Sequence, residues 1–144
     1  MIGGDDAAEV RRYFDVAPNA VFAAFASAEL VSRWLSPAPD IGLTVLQFDF
    51  RVGGLYRFAY HLLSGETVTI GGAYRVIEPP DAHAGIRSEV TVTITPERGG
   101  SDLHIRHARL TREGAVARHA EGWRGAFDRL AALFATGEPP HESR

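Results

Sequence analysis

Apolar and polar residues alternate with a period of two through the middle of the chain, and this pattern limits the fold more than any other feature. The alternating segments are separated by short turns at Gly53-Gly54, Ser64-Gly65 and Arg98-Gly99-Gly100. Short connections join antiparallel strands, and alternation leaves one face apolar. The pattern predicts an antiparallel sheet whose apolar face needs a cover. The residues it assigns to that face are Leu46, Phe48, Phe50, Tyr56, Phe58, Tyr60, Val68, Ile70, Tyr74, Val90, Val92, Leu103 and Ile105.

The segment RHAEGWRGAFDRLAALF, residues 118–134, predicts a long helix that covers this face. Its apolar stripe, at about 100° per residue, contains Trp123, Phe127 and Leu130. Two glycines interrupt the helix, and each costs roughly 1 kcal/mol relative to alanine. Gly122 flanks the stripe, which predicts a close approach to a neighbouring backbone or room for a ligand. Gly125 falls on the opposite side, where solvent is expected.

The N-terminal part predicts a strand followed by two short helices. Val10 to Val16 alternates like a strand, and Pro18 suits the first turn of a helix. Ser27 is a good cap for a second helix that carries Trp34. We expect one domain over residues 10–135, a flexible N-terminus over 1–9 and a disordered tail over 136–144.

Composition excludes several classes of partner. The chain has 144 residues and a net charge of −3, and its 15 basic residues are interspersed with acids. Nucleic acid is therefore not an expected partner. No apolar run approaches the roughly 20 residues of a membrane span, so stable membrane insertion is not expected. The lack of cysteine and of a signal-like start favours the cytoplasm.

Several motifs together resemble one known family. They are APNAVFAAF at the entry to the first helix, the Glu29-to-Trp34 spacing, RVGGLYRF at 51–58, GAY at 72–74 leading to VIEPP at 76–80, and His119-x-x-Gly122-Trp123. In this order the chain resembles the START-like (SRPBCC) superfamily, in the branch named for activators of a heat-shock-protein ATPase. The resemblance implies an α+β helix-grip fold, in which a curved antiparallel sheet wraps the C-terminal helix around a deep apolar cavity.

One stretch is shorter than the family pattern. Only Asp81 to Ser88 separates Pro80 from Glu89. Without a strand here, the segments around Tyr74 and Val92 would be parallel neighbours, which need a crossover of about a dozen residues. We therefore predict a stunted central strand near Ala82 to Ile86.

The candidate ligand-binding residues are the inward aromatic and histidine side chains, with Trp34 expected near the cavity mouth. For most of them a purely structural role in the core is the competing interpretation. No metal or cofactor is expected: His104 and His107 lie on opposite faces of a strand, and no carboxylate completes a set. The candidates are Trp34, Phe48, Phe50, Tyr56, Phe58, Tyr60, Tyr74, His107, His119, Trp123 and Phe127.

Three functions compete. The first is a non-catalytic binding protein for a small hydrophobic or aromatic ligand, because the inward set is nearly free of ionisable groups. The second is an enzyme of the polyketide cyclase or dehydratase type, with His107 and a tyrosine as acid and base. The third, implied by the resemblance, is a module that stimulates a chaperone ATPase. A homodimer is compatible with such folds, and no interface is indicated.

Overall fold

The computed structural model describes residues 7–78, 84–88 and 90–135. Along the chain the elements are β1 (Ala8–Phe14), α1 (Pro18–Ala26), α2 (Ala28–Trp34), β2 (Gly42–Phe48), β3 (Leu55–His61), β4 (Thr67–Ala73), β5 (Val76–Glu78), β6 (Ala84–Arg87), β7 (Val90–Glu97), β8 (Gly100–His107) and α3 (Ala115–Ala135). The α+β class, the two short helices after the first strand and the long C-terminal helix are confirmed. β1 begins two residues before the predicted domain boundary at Val10, and the predicted tail at 136–144 lies outside the described residues.

The strands form two hydrogen-bonded sheets. One has five strands in the order β1-β8-β7-β6-β5, and the other has three in the order β2-β3-β4. All strand pairs in them are antiparallel. The chain passes from the smaller to the larger sheet between Ala73 and Val76. The expected curved sheet is thus divided where β4 gives way to β5.

The last backbone bonds of the smaller sheet before the division are made by Tyr74. Its N–H donates to the carbonyl of Gly54 at 2.9 Å, and its carbonyl accepts from the N–H of Gly53 at 2.7 Å. Gly54 and Tyr74 follow the pair Leu55 and Ala73, so these bonds extend the β3–β4 ladder by one residue into the turn between β2 and β3. Two residues after Tyr74, β5 begins in the other sheet. Gly53 has a φ of +84°, and a side chain at Gly54 would overlap the carbonyl oxygen of Asp49. Both glycines of the sequence motif are required by this turn.

The short strand β6 pairs antiparallel with both β5 and β7. This confirms the predicted stunted strand and excludes parallel pairing of β5 with β7. Ala82 and His83, which the prediction included, lie outside the described residues.

A β-bulge in β2 corrects the predicted face of one residue. The register against β3 shifts between Val45 and Gln47. Val45 lies opposite Phe58, and Phe48 lies opposite Tyr56, so Leu46 is the extra residue. Its side chain is 50% exposed. The assignment of Leu46 to the apolar face is wrong, because strict alternation assumes a ladder without a bulge.

The core fills the space between the five-stranded sheet and the helices. α3 packs on β1 and α2, while α1 packs on β7 and β8. Phe127 and Leu130 of α3 are fully buried, and the ring of Phe14 meets that of Phe127 edge-on at 6.1 Å. Trp34 is also fully buried; its Nε1–H donates to the carbonyl of Ala24 at 2.9 Å and so ties α2 to α1.

Of the two glycines of α3, Gly125 and not Gly122 makes the close approach to a neighbouring backbone. A methyl group at Gly125 would overlap the carbonyl oxygen of Pro37, in the loop after α2. A methyl group at Gly122 would lie 3.5 Å from Cβ of Pro37, which is ordinary contact. The prediction that Gly125 faces solvent is wrong, because α2 and its following loop cover the side of α3 that points away from the sheet.

Alanine substitutions at these glycines should therefore change stability in opposite directions. Gly125→Ala forces the loop at Pro37 to move, and overpacking of this kind costs about 1–3 kcal/mol, more than the roughly 1 kcal/mol gained in helix propensity. Gly122→Ala gains propensity without a clash and should stabilise by up to about 1 kcal/mol. Urea denaturation measures both; a shift of the two midpoints in the same direction would contradict the packing of Gly125.

Candidate functional site

A cavity of about 620 Å³ lies between the three-stranded sheet, α3 and the inner face of β7 and β8. The loop after α2 also borders it, through Ser36 and Pro37. Aliphatic and aromatic side chains make up most of its walls. The aromatic and histidine residues that line it are Phe25, Phe48, Phe50, Tyr56, Phe58, Tyr60, Tyr74, His107, His119 and Trp123.

One side of the cavity is a chain of touching rings, which we call the aromatic wall: Phe48, Phe50, Tyr56, Phe58 and Tyr74. Phe48 and Phe50 are nearly parallel, with centroids 6.0 Å apart. Tyr74 meets Phe50 edge-on and Tyr56 at a tilt, each at 5.0 Å, and Tyr56 stacks on Phe58 at 5.4 Å. Such contacts hold the rings in place, so this side of the cavity is preformed.

The opposite side holds a group that we call the histidine corner: His107, His119 and Trp123. The two imidazole rings meet edge-on at 4.8 Å. Nε1–H of Trp123 donates to Nδ1 of His107 at 3.2 Å, and Nδ1–H of His119 donates to the carbonyl of Ala115 at 2.8 Å. A carbonyl only accepts and an indole only donates. The bonds therefore give the neutral His119 ring its hydrogen on Nδ1 and the neutral His107 ring its hydrogen on Nε2.

Tyrosine hydroxyls supply most of the polar groups near the aromatic wall. The Tyr60 hydroxyl donates to the carbonyl of Leu35 at 3.1 Å, and that of Tyr56 lies 3.0 Å from Oγ of Ser88. Gly72 leaves the space for Tyr56, because a Cβ at Gly72 would lie 2.6 Å from its hydroxyl oxygen. The Tyr74 hydroxyl hydrogen-bonds to none of the described residues, although the side chain is buried.

Burial raises the pKa of both Tyr60 and Tyr74 well above the ordinary tyrosine value, and the nearby Tyr56 adds to the effect. Low-dielectric surroundings disfavour the phenolate. Both phenols are therefore neutral hydrogen-bonding groups at physiological pH.

The mouth of the cavity lies between β4 and the first turns of α3. Val68 and Ile70 on β4 line the cavity and are 39% and 44% exposed. Across from them, the exposed side chains of Arg118 and His119 also line it. The described part of the lining contains no Asp or Glu. Arg118 was missed by sequence reasoning because it lies off the apolar stripe of the helix; its position directly before His119 was the available signal.

Most of the predicted ligand-binding residues line one cavity. They are Phe48, Phe50, Tyr56, Phe58, Tyr60, Tyr74, His107, His119 and Trp123. Trp34 and Phe127 do not line it and are fully buried in the core. The expected position of Trp34 at the mouth is wrong, because α2 turns its indole inward against Phe25 of α1, with ring centroids 4.9 Å apart. Ligand contact by the lining residues stays a prediction.

Comparison with known proteins agrees with this architecture. A sequence model of the family described as activator of Hsp90 ATPase homolog 1-like protein, AHSA1, matches residues 15–135. The chain belongs to the AHSA1-like family.

Solved structures of several bacterial proteins share the whole fold. A protein from Rhodobacter sphaeroides superposes with a TM-score of 0.77 at 27% identity, covering 93% of this chain and 95% of that one. A protein from Chromobacterium violaceum superposes with a TM-score of 0.74 at 25% identity, covering 88% of this chain and 96% of that one. The AHSA1 protein of Silicibacter pomeroyi superposes with a TM-score of 0.74 at 23% identity, covering 91% of this chain and 99% of that one. At this identity the comparison shows only that the fold is shared. No protein with a curated description matches the chain.

Two further properties of this AHSA1-like chain concern metals and membranes. Within the described residues, no three His, Cys, Asp or Glu side chains are grouped so that they could hold a metal ion. His104 lies on the outer face of β8, where its Nε2 is 2.9 Å from a carboxylate oxygen of Glu9. No helix in residues 7–78, 84–88 and 90–135 has both the length and the hydrophobicity that a membrane crossing requires.

The raised pKa of Tyr60 predicts a loss of stability in alkali. Above about pH 10 the unfolded chain releases the phenolic proton, whereas the folded chain retains it. The stabilisation is complete below that pH and falls as pH rises, by about 1 kcal/mol at pH 11 for one such tyrosine. Tyr60→Phe should therefore lose less free energy of unfolding between pH 8 and pH 11 than the wild type. Equal losses in urea denaturation at the two pH values would contradict it.

Proposed function

We propose that the protein binds a small hydrophobic or aromatic molecule in the cavity between the three-stranded sheet and α3. The observation that carries this proposal is a preformed cavity of about 620 Å³ with an aromatic wall on one side. Cavities of roughly 300–1,000 Å³ with mostly apolar walls are typical of small-molecule sites. The AHSA1-like fold supports this class of ligand and does not specify its identity.

The polar groups of the cavity support binding more than catalysis. The hydroxyls of Tyr56 and Tyr60 are already engaged with Ser88 and with a backbone carbonyl. Hydroxyls that are already engaged in this way are suited to orient a ligand rather than to transfer a proton. The unengaged hydroxyl of Tyr74 is the natural partner for a polar atom of a bound ring.

A cyclase- or dehydratase-type enzyme is the second candidate. The observation that favours it is the cavity-facing ring of His107, oriented by the indole N–H of Trp123. An oriented imidazole beside a cavity is suited to acid–base chemistry. It ranks second because, in the described part of the chain, the hydroxyls of Tyr56 and Tyr60 bond Ser88 and Leu35 and not this histidine.

Two sequence-based predictions complete the proposal. The cysteine-free sequence supports a cytoplasmic location, and the fold is compatible with a homodimer. Sedimentation equilibrium on the purified chain measures the oligomeric state directly, and a homodimer should give twice the mass of one chain.

The neutral fluorescent probe N-phenyl-1-naphthylamine tests the binding proposal. At roughly 0.4 kcal/mol for each of its about 17 non-hydrogen atoms, the probe should bind with a dissociation constant on the order of 10 µM. Gly122 lines the cavity, so Gly122→Leu should fill part of it and weaken binding at least about tenfold, a loss of about 1.4 kcal/mol.

Gly122→Ala is the matched control, because a methyl group there makes only ordinary contact. It should bind the probe nearly as well as the wild type. Absence of saturable binding to the wild type, or equal binding by the leucine variant with an intact helix signal in circular dichroism, would contradict the proposal. Quenching of Trp123, which lines the cavity, gives a second readout.

A further inference from the structure

We propose that the cavity selects an amphipathic ligand with a single anionic head, such as a carboxylate, and that Arg118 is the residue that determines this selectivity. This inference rests on the proposed function and specifies the chemical class of its ligand. The apolar body would occupy the cavity beside the aromatic wall, and the anionic head would lie at the mouth.

The charge of the described lining has one sign. Among the described residues that line the cavity, Arg118 carries a positive charge, and none is an Asp or Glu. A cationic ligand would find no counter-charge in this lining, whereas an anionic ligand would find a guanidinium. A guanidinium at the mouth attracts an anionic head and repels a cationic one, so the lining discriminates against cations and in favour of anions.

Arg118 is free to accept an external anion. Nη1 donates to the backbone carbonyl of Glu113 at 3.2 Å, and the guanidinium pairs with no carboxylate among the described residues. Other arginines are neutralised: Arg12 pairs with Asp128 at 2.6 Å, and Arg51 pairs with Asp49 at 2.8 Å. A guanidinium carries five N–H donors in a planar fork that matches a carboxylate. The bond to Glu113 positions the group and leaves donors for a ligand.

The position of Arg118 on the helix adds to the effect. It lies near the N-terminus of α3, which begins at Ala115. The backbone dipoles of a helix place partial positive charge at this end. The protein as a whole carries a net charge of −3, which by itself repels anions. A preference for an anionic ligand would therefore come from this local group and not from the overall field.

The test compares two probes of the same shape, 2-naphthoate and its neutral analogue 2-naphthamide. Calorimetric titration at low ionic strength should show that the wild type binds the naphthoate about threefold to tenfold more tightly, the range expected for a partly exposed charge contact. Arg118→Gln should abolish this preference and leave naphthamide affinity within about twofold of the wild type. Higher salt should reduce the preference in the wild type, because exposed charges are screened.

Arg124→Gln is the matched control. It removes one positive charge from the exposed side of the same helix, at a residue that does not line the cavity. It should retain the full preference for naphthoate. A wild type that binds naphthamide as tightly as naphthoate would overturn the inference, and so would an Arg118→Gln variant that retains the preference.

The two proposals fail in different ways. If N-phenyl-1-naphthylamine binds while the naphthoate shows no advantage, the cavity binds ligands and only the role of Arg118 is wrong. If neither the neutral probe nor either naphthalene derivative binds, the proposed function itself is wrong.

Discussion

The backbone pairing of Tyr74 with the turn at Gly53 and Gly54 is the interaction on which the architecture depends. These bonds hold the end of β4 on the smaller sheet, and two residues later the chain restarts as β5 in the larger sheet. The larger sheet packs its apolar face on the helices. The smaller sheet stands apart from α3, and the space between them is the cavity.

The helix α3 serves both the core and the cavity because its two halves meet different surroundings. Toward its C-terminus, Phe127, Leu130 and Leu133 are buried. The close approach of Gly125 to Pro37 fixes the helix against the loop after α2. Toward its N-terminus, Arg118, His119 and Gly122 line the cavity. Dense packing in one half can hold the other half away from the sheet, so that an open cavity is compatible with a stable fold.

Much of this arrangement could be predicted from periodicity and spacing. Alternation located the strands and the inward rings of Phe48 and Tyr56, and the short segment from Asp81 to Ser88 predicted the stunted strand. Leu46 could not be assigned correctly, because a bulge inserts one extra residue into the strand and leaves no clear mark in the alternation. The surroundings of Gly125 and Trp34 were predicted wrongly because they depend on how α2 and the loop after it pack. A helical projection contains no information on neighbours that are distant in the sequence.

By itself, the sequence determined the elements of this protein, because hydrophobic period, turn residues and caps act over a few residues along the chain. It also determined the chemical character of the cavity, since apolar and aromatic side chains on one strand face must be covered. Only the tertiary structure decided where the sheet divides and which glycine of α3 contacts the backbone of the loop after α2. It also decided that Arg118 lies at the mouth of the cavity. These features depend on contacts between segments far apart in the sequence, such as Gly125 with Pro37, and no local pattern records them.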